Sequence, residues 1–468
     1  MSEGNKQRVA KVRRLYDEED DGPSRFSGTI FFLLCAVPVV STVAFGAVDA
    51  LALGVLAITM AIITSLWAVE SRRYGRVQFS SNPLQLPILG LMLIGLIQLL
   101  PFGNSGIPAD LLNVPASNAL SLDPYATRSF IVRLVTLFIF FAAALTFINS
   151  KRRLKIVAAL LIILGALIAF FGILQWLANP GGIYGLRPTP QAIPFGPYVN
   201  QHHFAALMEM TSGLTLGLLF GSTAGRDRKI LLAMAAVLMG MAIFLTGSRG
   251  GVLSYIGVAA FAALASFIGR YDTAGGRSRK LMIILSVAGL MLIAVGCVSF
   301  LGGGSGLLRG LGAQADQVDI TSGRGHFWAV AWQIFTAHPI LGAGLDAFGS
   351  AFSRYDNWNG LLRVEQAHND YLQILADAGI LGFACVAAFA FLLVRNGIRS
   401  ITAQKDDLKR SIAVGALSGC FGILIHSFFD FPLRTTANAF VFMTLAALAT
   451  SVIGSRNIRG NILREQAI

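Results

Sequence analysis

Long, uninterrupted apolar runs recur along this chain and constrain its fold more than any motif does. About 20 apolar residues suffice to span a bilayer as a helix. Runs near that length fall at 27–48, 51–69, 86–102, 130–148, 154–177, 203–221, 230–246, 251–268, 281–300, 379–395, 411–428 and 437–454. Backbone polar groups in hydrocarbon must be satisfied internally, which leaves helices or a closed barrel. Barrel strands show weak alternation, not solid runs. Only 13% of the 468 residues are charged, against about 25% in soluble domains. The expected fold is therefore all-α, a polytopic inner-membrane helical bundle of about twelve transmembrane helices. An even number would return both termini to one side.

Charge predicts which side. Basic residues cluster in KQRVAKVRR near the amino terminus, then in ESRRYGR, NSKRRLK, GRDRK, GRYDTAGGRSRK, the 395–410 loop and RNIRGNILR. Lys/Arg excess marks the cytoplasmic side. The net charge of +13 thus follows from membrane topology, and no basic-aromatic groove argues for nucleic acid. The expected organisation is a charged cytoplasmic tail (1–26), helices one to nine (27–300), a large periplasmic loop with short helices (301–378), helices ten to twelve (379–454) and a second cytoplasmic tail (455–468). No signal peptide is expected, because the first apolar run is long enough to span and stay. Cys35, Cys297, Cys385 and Cys420 all fall in predicted spans, so neither a disulfide framework nor a metal-type cysteine spacing is expected.

The chemistry-bearing residues gather on the other, outer side, mainly in 101–129, 178–202 and 301–378. All six histidines lie there or at its edge: His202, His203, His326, His338, His368 and His426. Cations there are mostly arginines. Arginine offers phosphate a rigid donor fork that lysine lacks.

The densest polar knot is EQAHNDYLQILADAGILG, 365–382. Asn369 and Asp370 are good helix caps, which puts His368 at a helix start. There it is either a general base toward a sugar hydroxyl or a packing histidine. Arg249 sits in a turn flanked by Gly247, Gly250 and Gly251, as an anion clamp or a snorkelling interfacial residue. Arg324, in TSGRG, precedes a predicted helix carrying Trp328, Trp332 and Phe335 on one stripe, with Ser322 as a possible cap. A helix amino terminus with an arginine is an anion site or a plain surface feature. Arg187 lies in a third outer turn, YGLRPTP, and is a further candidate anion contact. Asn200 and His203 line a polar mouth; His202 and His203 point different ways on a helix, which disfavours a metal pair. Glu209, costly within a span, is expected to face the bundle interior as a packing partner, to pair with Arg133, or to help bind substrate. His426 and Asp430 are four apart and share a face if the helix continues; either Asp430 orients His426, with Arg434 nearby, or the group is an interfacial polar cluster ending a helix. Tyr198, Trp328, Trp332, Tyr355, Trp358 and Tyr371 are candidates for stacking on sugar rings or for anchoring at the interface.

In order along the chain, FGPYVNQHHFAALMEM, FLTGSRGG, SGRGHFWAVAWQIFTAHPILGAGLDAF, His368-Asn369 followed after nine residues by Gly379-x-x-Gly382, and HSFFDFPLRTTANA resemble the outer-face motifs of the O-antigen ligase and polymerase family. These matches span 195–439. The resemblance implies glycan transfer on the periplasmic face, from a polyprenyl (undecaprenyl) diphosphate-linked saccharide to an acceptor hydroxyl. A ligase uses the lipid A core of lipopolysaccharide as acceptor; a polymerase extends a lipid-linked O-antigen or exopolysaccharide repeat unit. The resemblance further implies an inverting, metal-independent glycosyltransferase with no cofactor. His368, Arg249 and Arg324 would be its catalytic residues. Arg187, Asn200, His203, Asn369, Asp370, His426, Asp430 and Arg434 would bind substrate. Expected partners are the glycan donor, the acceptor, membrane lipid and proteins of polysaccharide assembly.

Two other classes compete. A flippase or transporter of lipid-linked glycan would place ionisable residues and broken helices near the midplane, in paired halves, whereas here the polar groups gather in outer loops. A non-catalytic scaffold would not require His368 or Arg249.

Overall fold

The computed structural model describes residues 25–75, 77–103, 118–178, 181–190, 192–221, 225–267, 324–357 and 364–451. Its elements are helical: α1 (Arg25–Val43), α2 (Ala50–Arg73), α3 (Gln85–Gln98), α4 (Pro124–Phe147), α5 (Lys151–Ala178), α6 (Gln201–Gly221), α7 (Arg226–Thr246), α8 (Arg249–Phe267), α9 (Arg324–Ala337), α10 (Phe348–Tyr355), α11 (Asp370–Ala403), α12 (Asp407–His426) and α13 (Thr436–Ala449). Among the described residues nine helices are long and apolar enough to cross a membrane, and α3 and α13 are shorter apolar helices of 14 residues each. Eleven of the twelve expected spans thus coincide with a helix. The remaining one, 281–300, lies outside the described residues, as do the basic stretch at 270–280, residues 1–24 and 452–468 of the terminal regions, Ser322 and Trp358.

Helix starts follow their caps. Asp123 Oδ1 accepts from Ala126 N–H, with Pro124 opening α4. Asn369 accepts from the amides of Tyr371 and Leu372 to start α11, and Asp406 from those of Leu408 and Lys409 to start α12. Each satisfies amides that a helix leaves unpaired at its amino end.

The centre of the bundle is α6, almost wholly buried, packed against α12. Gly213 and Gly217 of α6 meet Gly415 and Gly419 of α12. A Cβ on Gly217 would lie 2.3 Å from the Gly415 backbone, and one on Gly213 would lie 2.4 Å from Gly419 N. Lipid offers helices no hydrophobic drive to associate, so close packing of small residues supplies it. Around this pair the core is filled by Phe140, Phe141, Phe147, Phe204 and Phe440, all essentially inaccessible.

Helix α11 begins at Asp370, where the Asn369 cap predicts a helix start, and runs on through the expected span at 379–395; Gly379 breaks it with φ 62° and ψ −162°. The stretch 339–344 fills that break: Ala343 and Gly344 amides donate to the carbonyls of Ala376 and Asp377, and Ile380 N–H donates to Pro339 O. Gln98, at the end of α3, donates to Asp377 O and accepts from Leu345 N–H. A Cβ on Gly379 would sit 2.3 Å from Ile340 O. The glycine after His-Asn-x9 is therefore a backbone requirement: φ is positive and a foreign strand of chain passes close by.

Candidate active site

Five helix ends meet at one end of the bundle: the starts of α6, α8, α9 and α11 and the finish of α12. The loop 427–435, leading to α13, lies among them. Asp430 in that loop is the hub, with its side chain 1% exposed. Its Oδ1 accepts from Phe431 N–H at 2.9 Å and from His368 Nδ1–H at 3.1 Å. Its Oδ2 lies 3.8 Å from His202 Nδ1 and 3.9 Å from Arg324 Nη2, without a hydrogen bond among the described residues. Burial pushes the Asp430 carboxyl up. The imidazoles of His202 and His368, with the hydrogen bond from His368, outweigh it and hold the group well below the usual carboxylate range.

His368 precedes the Asn369 cap and has φ 51°, a left-handed conformation uncommon for a residue with a side chain. Its ring packs edge-on to Phe431 at 4.9 Å, and 28% of the side chain remains exposed. With Nδ1–H committed to the carboxylate, Nε2 is the basic atom. Arg324 heads α9, donates from Nη1 to Phe429 O at 2.6 Å and keeps 24% of its side chain exposed.

Arg249 opens α8 and is exposed. Both sequence neighbours touch the cluster. Ser248 Oγ pairs with His202 Nδ1 at 2.9 Å and accepts from Gly251 N–H. A Cβ on Gly250 would meet Phe429 at 2.8 Å and His426 at 3.4 Å. The glycines after Arg249 thus serve close helix packing here.

Three sequence expectations about pairing change. Asp430 faces His368 and not His426, because α12 ends at His426 and the turn after it redirects the chain. His426 Nδ1 instead pairs with Glu209 at 2.8 Å, both fully buried. Arg133 does not reach Glu209: it donates to Arg434 O and to Thr436 Oγ1. Tyr198 is 1% exposed and its hydroxyl donates to Asn438 Oδ1 at 3.0 Å, so it cannot stack on a sugar.

The remaining candidates divide. Asp370, beside His368, bonds Ser427 Oγ at 3.0 Å, and its amide donates to Ser427 O. Asn369 acts through its cap. Asn200 also caps a helix, accepting from His202 N–H at 2.8 Å. His203 faces away from His202, paired with Thr435 at 2.6 Å. Arg434 belongs to a neighbouring buried knot, bonding Asp346 and, at 2.6 Å, Asp377. Arg187 stands apart in a two-pronged pair with Asp49 at 2.6 and 2.9 Å, over the Phe45 ring. His202, noted in the sequence only as an outer histidine and a disfavoured metal partner of His203, joins the cluster, and so does Ser248, whose only trace in sequence is its place beside Arg249.

Bundle and cluster together define a class: a polytopic helical membrane protein with a histidine–carboxylate–arginine constellation at one end. Within that class, residues 234–387 match the family model for O-antigen ligase, the family that the motifs resemble. The match runs from α7 to the middle of α11 and takes in Arg249, Arg324 and His368; Asp430, His202 and Glu209 lie outside it. No curated protein matches the chain. The family match supports glycan transfer of the O-antigen ligase and polymerase type.

Proposed function

We propose that this protein transfers a saccharide from a polyprenyl diphosphate to an acceptor hydroxyl at the periplasmic face of the inner membrane, as in O-antigen ligation to the lipid A core. The hydrogen bond between His368 and Asp430 carries this reading. It fixes one ring nitrogen as donor, so Nε2 takes the acceptor proton as the hydroxyl attacks the anomeric carbon. Asp430 holds the ring in place and offsets the positive charge that forms on it. The new glycosidic bond forms on the face opposite the departing diphosphate, so the anomeric centre inverts. Arg249 and Arg324 meet the negative charge growing on the leaving group, and this chemistry calls for no metal.

An apolar cavity of about 210 Å³ supports a lipid donor. It lies between α3, α4, α11, α12 and α13, lined by Leu91, Leu137, Ile374 and Phe442, and reaches Asp370 and Ser427 beside the site. Isoprene units would lie in it with the diphosphate at the polar end. Arg187, committed to Asp49, has no part in this scheme.

The test is a deletion strain complemented with His368→Ala, Arg249→Ala or Arg324→Ala, with surface glycan and lipid-linked intermediates both analysed. Long chains held on the carrier and missing from the lipid A core are the expected result. Single repeat units that never lengthen would move the assignment to a polymerase. Full activity in all three variants would sink both.

A further inference from the structure

A groove at the end of the bundle opposite the His368 cluster has no role in this chemistry. Helix α5 contributes Lys155, Ala158, Ala159, Ile162 and Ile163, spaced as one helical stripe. Arg228, Leu231 and Leu232 of α7 form the facing wall, and Leu218 of α6 with Leu408 and Ile412 of α12 form the floor. The cavity measures about 450 Å³, and Ile163 and Leu231 on its rim are 57% and 64% exposed. The stripe from Lys155 to Ile163 runs about 12 Å at 1.5 Å per residue. That compares with about 15 Å for one leaflet's hydrocarbon.

Lys155 and Arg228 are the two cations in its described lining, whereas Arg152 and Arg226, exposed nearby, are not part of it. Lys151 is held by Asp406 at 2.6 Å, Arg410 by Asp407 at 3.1 Å, and Arg153 by Phe147 O and Ser27. Lys155 and Arg228 are exposed and make no hydrogen bond or ion pair among the described residues. Among the described residues no acidic side chain lines the groove, although Asp227 is exposed in the same turn as Arg228. Two uncommitted positive charges therefore top an apolar slot about one leaflet deep. Charge at the mouth and hydrocarbon below match an anionic phospholipid, phosphate up and acyl chain down. A zwitterionic lipid would fill the slot equally well but gain little from the cations.

We infer that this groove is a binding site for an anionic phospholipid of the leaflet at the basic end. The site stands on its own residues and does not depend on the proposed transfer reaction. Native mass spectrometry of the detergent-purified full chain tests it, with titration by phosphatidylglycerol and by phosphatidylethanolamine of the same acyl chains. Phosphatidylglycerol should bind more tightly. Lys155→Ala with Arg228→Ala should weaken it about 25-fold, about fivefold for each cation, while leaving phosphatidylethanolamine unchanged. Arg72→Ala with Arg73→Ala, on exposed cations at the end of α2, should have no effect. Ala159→Trp, which fills the slot without altering charge, should expel both lipids. Equal affinity for the two lipids would overturn the proposal. So would an unchanged double variant at Lys155 and Arg228, an equal loss from the Arg72/Arg73 pair, or phosphatidylglycerol retained by Ala159→Trp.

Discussion

Asp430 offers the sharpest probe of the proposed site, because one carboxylate meets His368, His202 and Arg324. Asp430→Asn can keep Oδ1 as the acceptor for Phe431 N–H and His368 Nδ1–H, at 2.9 and 3.1 Å in the parent. The amide nitrogen then replaces Oδ2 beside Arg324, so charge is lost and shape is kept. A hydrogen bond to a charged partner contributes about 1.5–3 kcal/mol and a neutral one about 0.5–1.5. The difference is about 1–1.5 kcal/mol, roughly tenfold in rate. Asp430→Ala removes the bond altogether and should cost about 10- to 100-fold. His368→Ala should cost about 10²–10⁴-fold, the worth of a general base. The decisive variant combines His368→Ala with Asp430→Ala. If Asp430 acts through the ring, the double variant is no slower than His368→Ala alone. The assay is transfer of a labelled glycan from a polyprenyl diphosphate by the purified protein, with thermal unfolding of each variant alongside. Multiplying losses in the double variant, or Asp430→Ala that lowers stability and leaves the rate intact, would refute the linkage.

Other outcomes follow from packing and charge. Gly217→Ala puts a Cβ 2.3 Å from the Gly415 backbone and should cost about 1–3 kcal/mol, read as a lowered Tm. Gly54→Ala, with open space around it, should not lower Tm. Arg434→Ala leaves Asp377, fully buried, without its cation and should cost about 3–5 kcal/mol; adding Asp377→Asn should recover part of that. The depressed Asp430 titration carries a sign. Unfolded aspartate titrates near ~3.9, so its contribution is complete above that pH and fades as pH falls through the lower folded value. The Tm gap between parent and Asp430→Asn should shrink as pH falls below about 4.

Much of the fold was legible because membrane insertion is decided locally. Each apolar run must satisfy its own backbone, whatever its neighbours do, and eleven of the twelve expected spans coincide with helices. Caps are equally local: Asn369 stands next to the amides it satisfies. The helical stripe through Trp332 and Phe335 is likewise visible in α9, their rings 5.2 Å apart.

By itself, then, the sequence determined that the chain is a helical bundle, where most helices begin, and which residue types carry chemistry. Only tertiary structure decided their partners. His368 and Asp430 are 62 residues apart, and Glu209 and His426 are 217 apart. No local pattern encodes such pairs, since they depend on how α6, α11 and α12 cross. The spacing of His426 and Asp430 misled because a shared helical face requires the helix to continue, and it stops at His426. Gly379 was visible as half of a motif, but its reason, the 339–344 segment lodged in a broken helix, exists only once the chain has folded back on itself.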